Sequence, residues 1–97
     1  MSDEVVVARE ETSTGGRFVV YLPEGQEAEM TYRRSGPGVI AIDHTGVPPR
    51  FRNLGLALKL VEAGIAAARQ EGIKIVPVCS YVQAQFRRHP DWADLLA

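Results

Sequence analysis

One cysteine, Cys79, is all the thiol chemistry in this chain of 97 residues. A lone thiol closes no internal disulfide, so the fold rests on its core, and a reducing, cytoplasmic setting suits it. Long apolar runs are absent too. None approaches the roughly 20 residues that a helix needs to cross a bilayer, so no membrane role is expected. The opening Ser2-Asp3-Glu4 lacks the basic region of a signal peptide. Aromatic residues make up only 7% and do not interleave with the arginines. With a net charge of −1, that argues against nucleic acid as a partner. No metal site is expected. Acids are scarce in one region: residues 31–59 hold Asp43 alone against Arg33, Arg34, Arg50, Arg52 and Lys59, whereas residues 1–30 hold seven acids and two bases. The basic middle is either a solvated face or the footprint of an anionic ligand.

What is present suits one compact domain over residues 1–97, with 45% apolar and 24% charged residues. A chain this short buries roughly 60–65% of its unfolded surface, enough for one core. Val5–Ala8 and Arg17–Leu22 are rich in β-branched and aromatic residues and read as strands separated by the turn-rich Thr12–Gly16. Gln26–Arg34 alternates, with Ala28, Met30 and Tyr32 on one face. Val39–His44 starts apolar on both faces, as a central strand does. From Leu54 the period changes. Leu54, Leu58, Val61, Ile65 and Ala68 form a helical stripe, with Asn53 as N-cap and Gly72 just past the end. Lys74–Val78 is a short strand. Ser80–His89 is a helix stopped by Pro90, with Ser80 and Gln83 spaced as a capping box. Trp92 and Leu95 would pin the tail. The order predicts an α/β (α+β) fold: a mixed, mostly antiparallel sheet of about five strands with two main helices.

The chemistry concentrates at "PPRFRNLGLALKL", Pro48–Leu60, where a strand ends, a basic turn follows and a long helix begins. The first N–H groups of a helix lack internal partners and carry partial positive charge, which favours phosphate. Gly55 allows close approach to the backbone. The spacing fits neither of the common Gly-rich phosphate loops. It does fit Arg-x-x-Gly-x-Ala, from Arg52 through Gly55 to Ala57, which resembles the acetyl-coenzyme A signature of GNAT-type N-acetyltransferases. Together with the His-Thr-x-Val-Pro run at His44–Pro48, the Pro-x-Cys run at Pro77–Cys79 and the Arg-His-Pro run at Arg88–Pro90, the chain from Gly25 to Leu96 resembles the small single-domain GNAT-like family of the YjdJ type. Two positions depart from the family pattern: Asn53 stands in place of the usual Gly, and Gly46 where an acid is frequent. The latter removes a carboxylate base there.

The resemblance implies a minimal acetyltransferase fold that binds acetyl-coenzyme A or coenzyme A along Val47, Arg50, Arg52, Asn53, Leu54, Gly55, Leu56 and Ala57. It implies an amine acceptor, either a small molecule or a peptide, and a monomer or weak homodimer. A coenzyme A-binding sensor or adaptor without turnover is the alternative. The resemblance also implies a gap between the strands Val39–His44 and Lys74–Val78, with Pro77 where pairing fails; an ordinary edge strand would also accept a proline. His44, Cys79 and Tyr81 would face that gap as catalytic candidates. His44 is either a base for the incoming ammonium or a strand-end histidine bonded to a carbonyl. Tyr81 either protonates the departing thiolate or keeps a wet tip over an apolar body. Cys79 is a nucleophile activated by a helix N-terminus, a wall of the acyl site, or a buried plug.

Overall fold

The computed structural model describes residues 5–97, so the Ser2-Asp3-Glu4 opening lies outside the described residues. Five strands form one sheet in sequence order: β1 (Ala8–Glu11), β2 (Gly15–Tyr21), β3 (Glu27–Arg34), β4 (Val39–Gly46) and β5 (Lys74–Pro77). The first four are antiparallel neighbours, and β5 runs parallel to β4. Helix α1 (Leu56–Glu71) makes the crossover that this parallel pair requires. Helix α2 (Ser80–Arg88) and a 3-10 turn over Pro90–Leu95 complete the chain. The α/β fold with a mixed, mostly antiparallel sheet is thus the one expected. No described helix is long and apolar enough to cross a membrane.

Helices α1 and α2 and the turn over Pro90–Leu95 pack on one face of the sheet. Phe18, Val20, Ala28, Met30, Tyr32, Ile40, Ile42 and Ile75 join Leu56, Leu60, Val61, Ile65 and Ala68 of α1 in one cluster. Val82, Phe86, Trp92 and Leu95 extend it, so the tail is pinned. Alternation in β3 foretold which of its residues turn inward. The opposite face carries polar chains, including Arg17, which binds Glu10, Glu27 and Glu29.

Three local expectations fail, each for a physical reason. The first strand lies at Ala8–Glu11, not Val5–Ala8. Thr12 N–H bonds to Gly15 O at 2.8 Å, and Gly15 N–H to Thr12 Oγ1 at 3.2 Å. That tight turn sets the register, so pairing falls on the residues just before it. The long helix starts at Leu56, not Leu54, and Asn53 is not its cap. Asn53 (φ 69°) and Gly55 (φ 77°) are both left-handed, and Leu54 between them is 64% exposed. The inward stripe is therefore Leu56, Leu60, Val61, Gly64, Ile65 and Ala68. Finally, Cys79, not Ser80, occupies the N-cap of α2. With Cys79 at the cap, the third helical position falls on Val82, so Ser80 and Gln83 no longer stand in capping-box positions. Gln83 Nε2 instead donates to Pro77 O at 3.0 Å and Val78 O at 3.3 Å.

Candidate functional site

The parallel ladder between β4 and β5 ends at the Ile42–Pro77 pair. Proline has no N–H with which to extend it. The N–H groups of Val78 and Cys79 both donate to Ile42 O, each at 3.0 Å, and the chain then turns into α2. Strand β4 continues to Gly46 on its β3 side. The two strands thus part beyond Pro77, where the family resemblance implies a gap.

The register of β4 shifts between Thr31 and Tyr32: Tyr32 pairs with Ile42, but Thr31 pairs with His44. Asp43 is the extra residue of a β-bulge, and a bulge reverses which face later residues occupy. Beyond it Thr45 pairs with Met30, a core residue, and shares the helix-covered face. His44 is put on the opposite face beside Thr31 and is exposed. His44 therefore does not look into the gap. Thr45 does, and its hydroxyl accepts from the Cys79 thiol at 3.6 Å. Unbroken alternation from Ile40 and Ile42 would put His44 there, and no hydrophobic pattern reveals the bulge.

Cys79 is half-buried against the core. Burial pushes its thiol up, but the backbone N–H of Val82, the Thr45 hydroxyl and the N–H groups of Tyr81 and Thr45 favour the thiolate, and the balance lies below the ordinary thiol value. Burial holds the Tyr81 phenol above its usual range, so Tyr81 is protonated near neutral pH.

Tyr81 lines a cavity of about 320 Å³ with Val47, Phe51, Arg52, Asn53, Gly55, Leu56, Ala57 and Leu58. No side chain caps the first turn of α1, and its first internal bond is Lys59 N–H to Gly55 O. The N–H groups of Leu56, Ala57 and Leu58 therefore lack helical partners at the cavity. A Cβ on Gly55 would meet nothing within 4 Å, so the backbone there is open to close approach. Arg52 Nε donates to Val47 O at 3.0 Å, which braces the turn. No described carboxylate pairs with Arg52.

Six of the eight residues expected to bind the coenzyme line this cavity, and two do not. Arg50 turns away to pair with Glu24 and lies over the Phe51 ring at 5.6 Å. Leu54 points to solvent. Phe51 and Leu58 line the cavity without having been singled out. Phe51, one residue before Arg52, carried a usable signal as an aromatic in the basic turn, whereas Leu58 read as helix core. Of the catalytic candidates, Tyr81 lines the cavity, Cys79 is not among its lining residues and bonds Thr45, and His44 is on the far face of the sheet.

A family model described as GCN5-related N-acetyl-transferase matches residues 17–95. The chain belongs to this family. Protein NATD1 of Gallus gallus is 29% identical over 63 residues, which is 65% of this chain and 57% of that protein. Its counterpart in Xenopus tropicalis is 30% identical over 63 residues, covering 65% and 58%. The matched stretch thus spans under three-fifths of these relatives. The NMR solution structure of a GCN5-like protein from Staphylococcus aureus superposes with a TM-score of 0.74 at 26% identity, covering 99% of this chain and 91% of that one. GNAT-type folds generally use acetyl-coenzyme A, and the donor set at the start of α1 suits its phosphates: unpartnered N–H groups, an open glycine and an arginine without a carboxylate partner.

Proposed function

We propose that the protein is an acetyl-coenzyme A-dependent N-acetyltransferase of the small YjdJ type, acting on a small-molecule or peptide amine in a cytoplasmic setting as a monomer or weak homodimer. The observation that carries this reading is the cavity at the uncapped start of α1, with Arg52 beside it. Arg52, Asn53 and the N–H groups from Gly55 to Leu58 hold the phosphates, and Val47, Phe51 and Leu58 flank the rest of the coenzyme. Bound acetyl-coenzyme A supplies an acetyl thioester: the amine nitrogen bonds to the carbonyl carbon, the C–S bond breaks, and the thiol gains the proton that the amine loses. Tyr81, protonated and in the cavity wall, is the donor for the departing sulfur. Among the described residues, no imidazole or carboxylate lines the cavity. The amine therefore sheds its ammonium proton to solvent, and turnover rises with pH until the amine itself is neutral.

Calorimetry with acetyl-coenzyme A tests the reading. Affinity should fall as salt rises, because screening weakens arginine–phosphate contacts. Arg52→Ala should cost about 1–3 kcal/mol of binding as a lost charge-assisted bond. Absence of binding at millimolar ligand and low salt would sink the proposal. Intact-protein mass spectrometry separates direct transfer from a Cys79 acyl-enzyme: amine turnover that survives Cys79→Ala excludes an essential nucleophile.

The lack of any base in the cavity wall favours a second reading, a coenzyme A-binding sensor or adaptor without turnover. Sustained acetylation across a panel of amines and peptides would exclude it.

A further inference from the structure

Arg50 stands beside the coenzyme cavity without lining it. Its guanidinium lies over the Phe51 ring, 5.6 Å from the centroid, and Phe51 lines the cavity. The charge is therefore one aromatic ring away from the cavity wall. Pro48 and Pro49 precede it, Phe51 N–H bonds to Pro48 O at 2.9 Å, and Arg52 N–H bonds to Pro49 O at 3.3 Å, so the backbone of the turn is fixed. The Arg50 side chain is its adjustable part, 64% exposed. Its partner is the Glu24 carboxylate, 62% exposed.

Glu24 belongs to the turn Pro23–Gly25 between β2 and β3. It has φ 65°, in the left-handed region, and Gly25 follows at φ 74°. Leu22 N–H bonds to Gln26 O at 2.9 Å and closes the turn. Glycine or asparagine suits such a backbone better than glutamate, so the backbone does not account for the residue. Its reach to Arg50 does. Among the described residues, Glu24 is the only acid paired with a cation of Pro48–Leu60. A carboxylate in that place opposes anion binding, because it occupies an arginine that a phosphate would otherwise take.

Relative strengths decide which partner wins. An ion pair as exposed as this one shifts an equilibrium by about fivefold at most. An arginine–phosphate contact is charge-assisted and has bidentate geometry open to it, and it is worth roughly tenfold or more. The exchange asks for rotation about the Arg50 side-chain bonds and no movement of the turn. We infer that Glu24 is an internal competitor that holds Arg50 off the coenzyme site, and that Arg50 leaves it to contact a phosphate of the arriving coenzyme. The inference rests on the acetyltransferase reading. It adds a phosphate contact made only on loading and a residue, Glu24, that sets the affinity.

Calorimetry of the full chain with coenzyme A at low salt provides the test. Glu24→Gln keeps the size of an exposed side chain and should tighten binding by about two- to fivefold. Arg50→Ala should weaken binding by roughly twofold or more, the phosphate contact less the pair given up. In the Arg50→Ala background, Glu24→Gln should change nothing. The Arg50 Nε–H resonance of uniformly labelled protein is an independent readout: coenzyme A should move it, and in the free protein so should Glu24→Gln. Dephospho-coenzyme A, which lacks the ribose phosphate, locates the contact. If the Arg50→Ala loss vanishes with that probe, the ribose phosphate is the partner; if the loss persists, the pyrophosphate is, and either result supports the exchange. Unchanged or weaker binding in Glu24→Gln would overturn the proposal. So would equal tightening in the Arg50→Ala background, since Glu24 would then act as a plain repelling charge, or an Arg50 resonance that coenzyme A leaves in place. If the unaltered chain binds no coenzyme A at millimolar concentration, the acetyltransferase reading falls and takes the Arg50 contact with it.

Discussion

Replacing Gly55 by alanine separates the cost of backbone strain from the cost of a blocked ligand. Gly55 has φ 77°, in the left-handed region, and a Cβ there would touch nothing within 4 Å. The free protein therefore meets no clash. It meets the left-handed penalty of about 1–2 kcal/mol, offset by roughly 0.4–1 kcal/mol because alanine restricts the unfolded chain. A net loss of about 1 kcal/mol lowers the melting temperature of a domain this size by roughly 4–8 °C. Gly72 is the matched control. It has φ 68°, its Cβ would also meet nothing within 4 Å, and it ends α1 at the opposite tip from the cavity. Gly72→Ala should lose a similar amount of stability. Only Gly55→Ala puts a methyl group where phosphate oxygens must approach the backbone N–H groups. Forfeiting one charge-assisted bond costs about 1.5–3 kcal/mol, which is tenfold or more in affinity. Thermal melts and calorimetry with coenzyme A at low salt measure the two effects independently. Unchanged affinity in Gly55→Ala, or an equal loss in Gly72→Ala, would refute close backbone approach at the start of α1.

Other outcomes follow from the same structure. Alkylation of Cys79 by iodoacetamide should reach half its maximal rate below the pH of about 8.5 that marks an ordinary thiol, and Thr45→Val should move that midpoint up by removing one stabilising donor. Leu60 is fully buried, so Leu60→Ala should destabilise the fold by about 2–5 kcal/mol in denaturant titrations. Glu71 is held below the usual carboxylate range by the Arg9 guanidinium, Glu10 by the Tyr21 hydroxyl and Arg17, and Asp94 by Arg69. Their folded values lie below their unfolded ones, so their contribution is complete above roughly pH 4.5 and is lost as pH falls through the folded values. Chemical denaturation from pH 7 to pH 2 should show that loss, and Glu71→Gln should flatten it.

The local physics of the chain made much of the fold legible. Alternation in β3 marked Ala28, Met30 and Tyr32 as inward, because each is paired on both sides within a sheet covered on one face. Val61, Ile65 and Ala68 marked α1 because the helical period is intrinsic to the backbone. The basic turn from Arg52 to Ala57 was visible as a motif, and six of the eight residues assigned to it do line the cavity. The failures cluster where one element is positioned by another. Nothing local shows that Arg50 has a carboxylate within reach, since Glu24 lies 26 residues away. Nor does the chain around Cys79 show that its N–H is already taken by Ile42.

The sequence by itself determined the strand and helix periods, the one-sided core, the phosphate-suited turn and the family to which they point. These follow from side-chain spacing and from the backbone's own hydrogen-bonding geometry. The tertiary structure alone decided which catalytic candidates meet. One extra residue at Asp43, absorbed as a bulge against β3, reversed the facing of β4 beyond it. That put Thr45 in the gap beside Cys79 and sent His44 to the other side of the sheet. A strand's facing depends on its register with its neighbour, and register belongs to the pair of strands and not to either one.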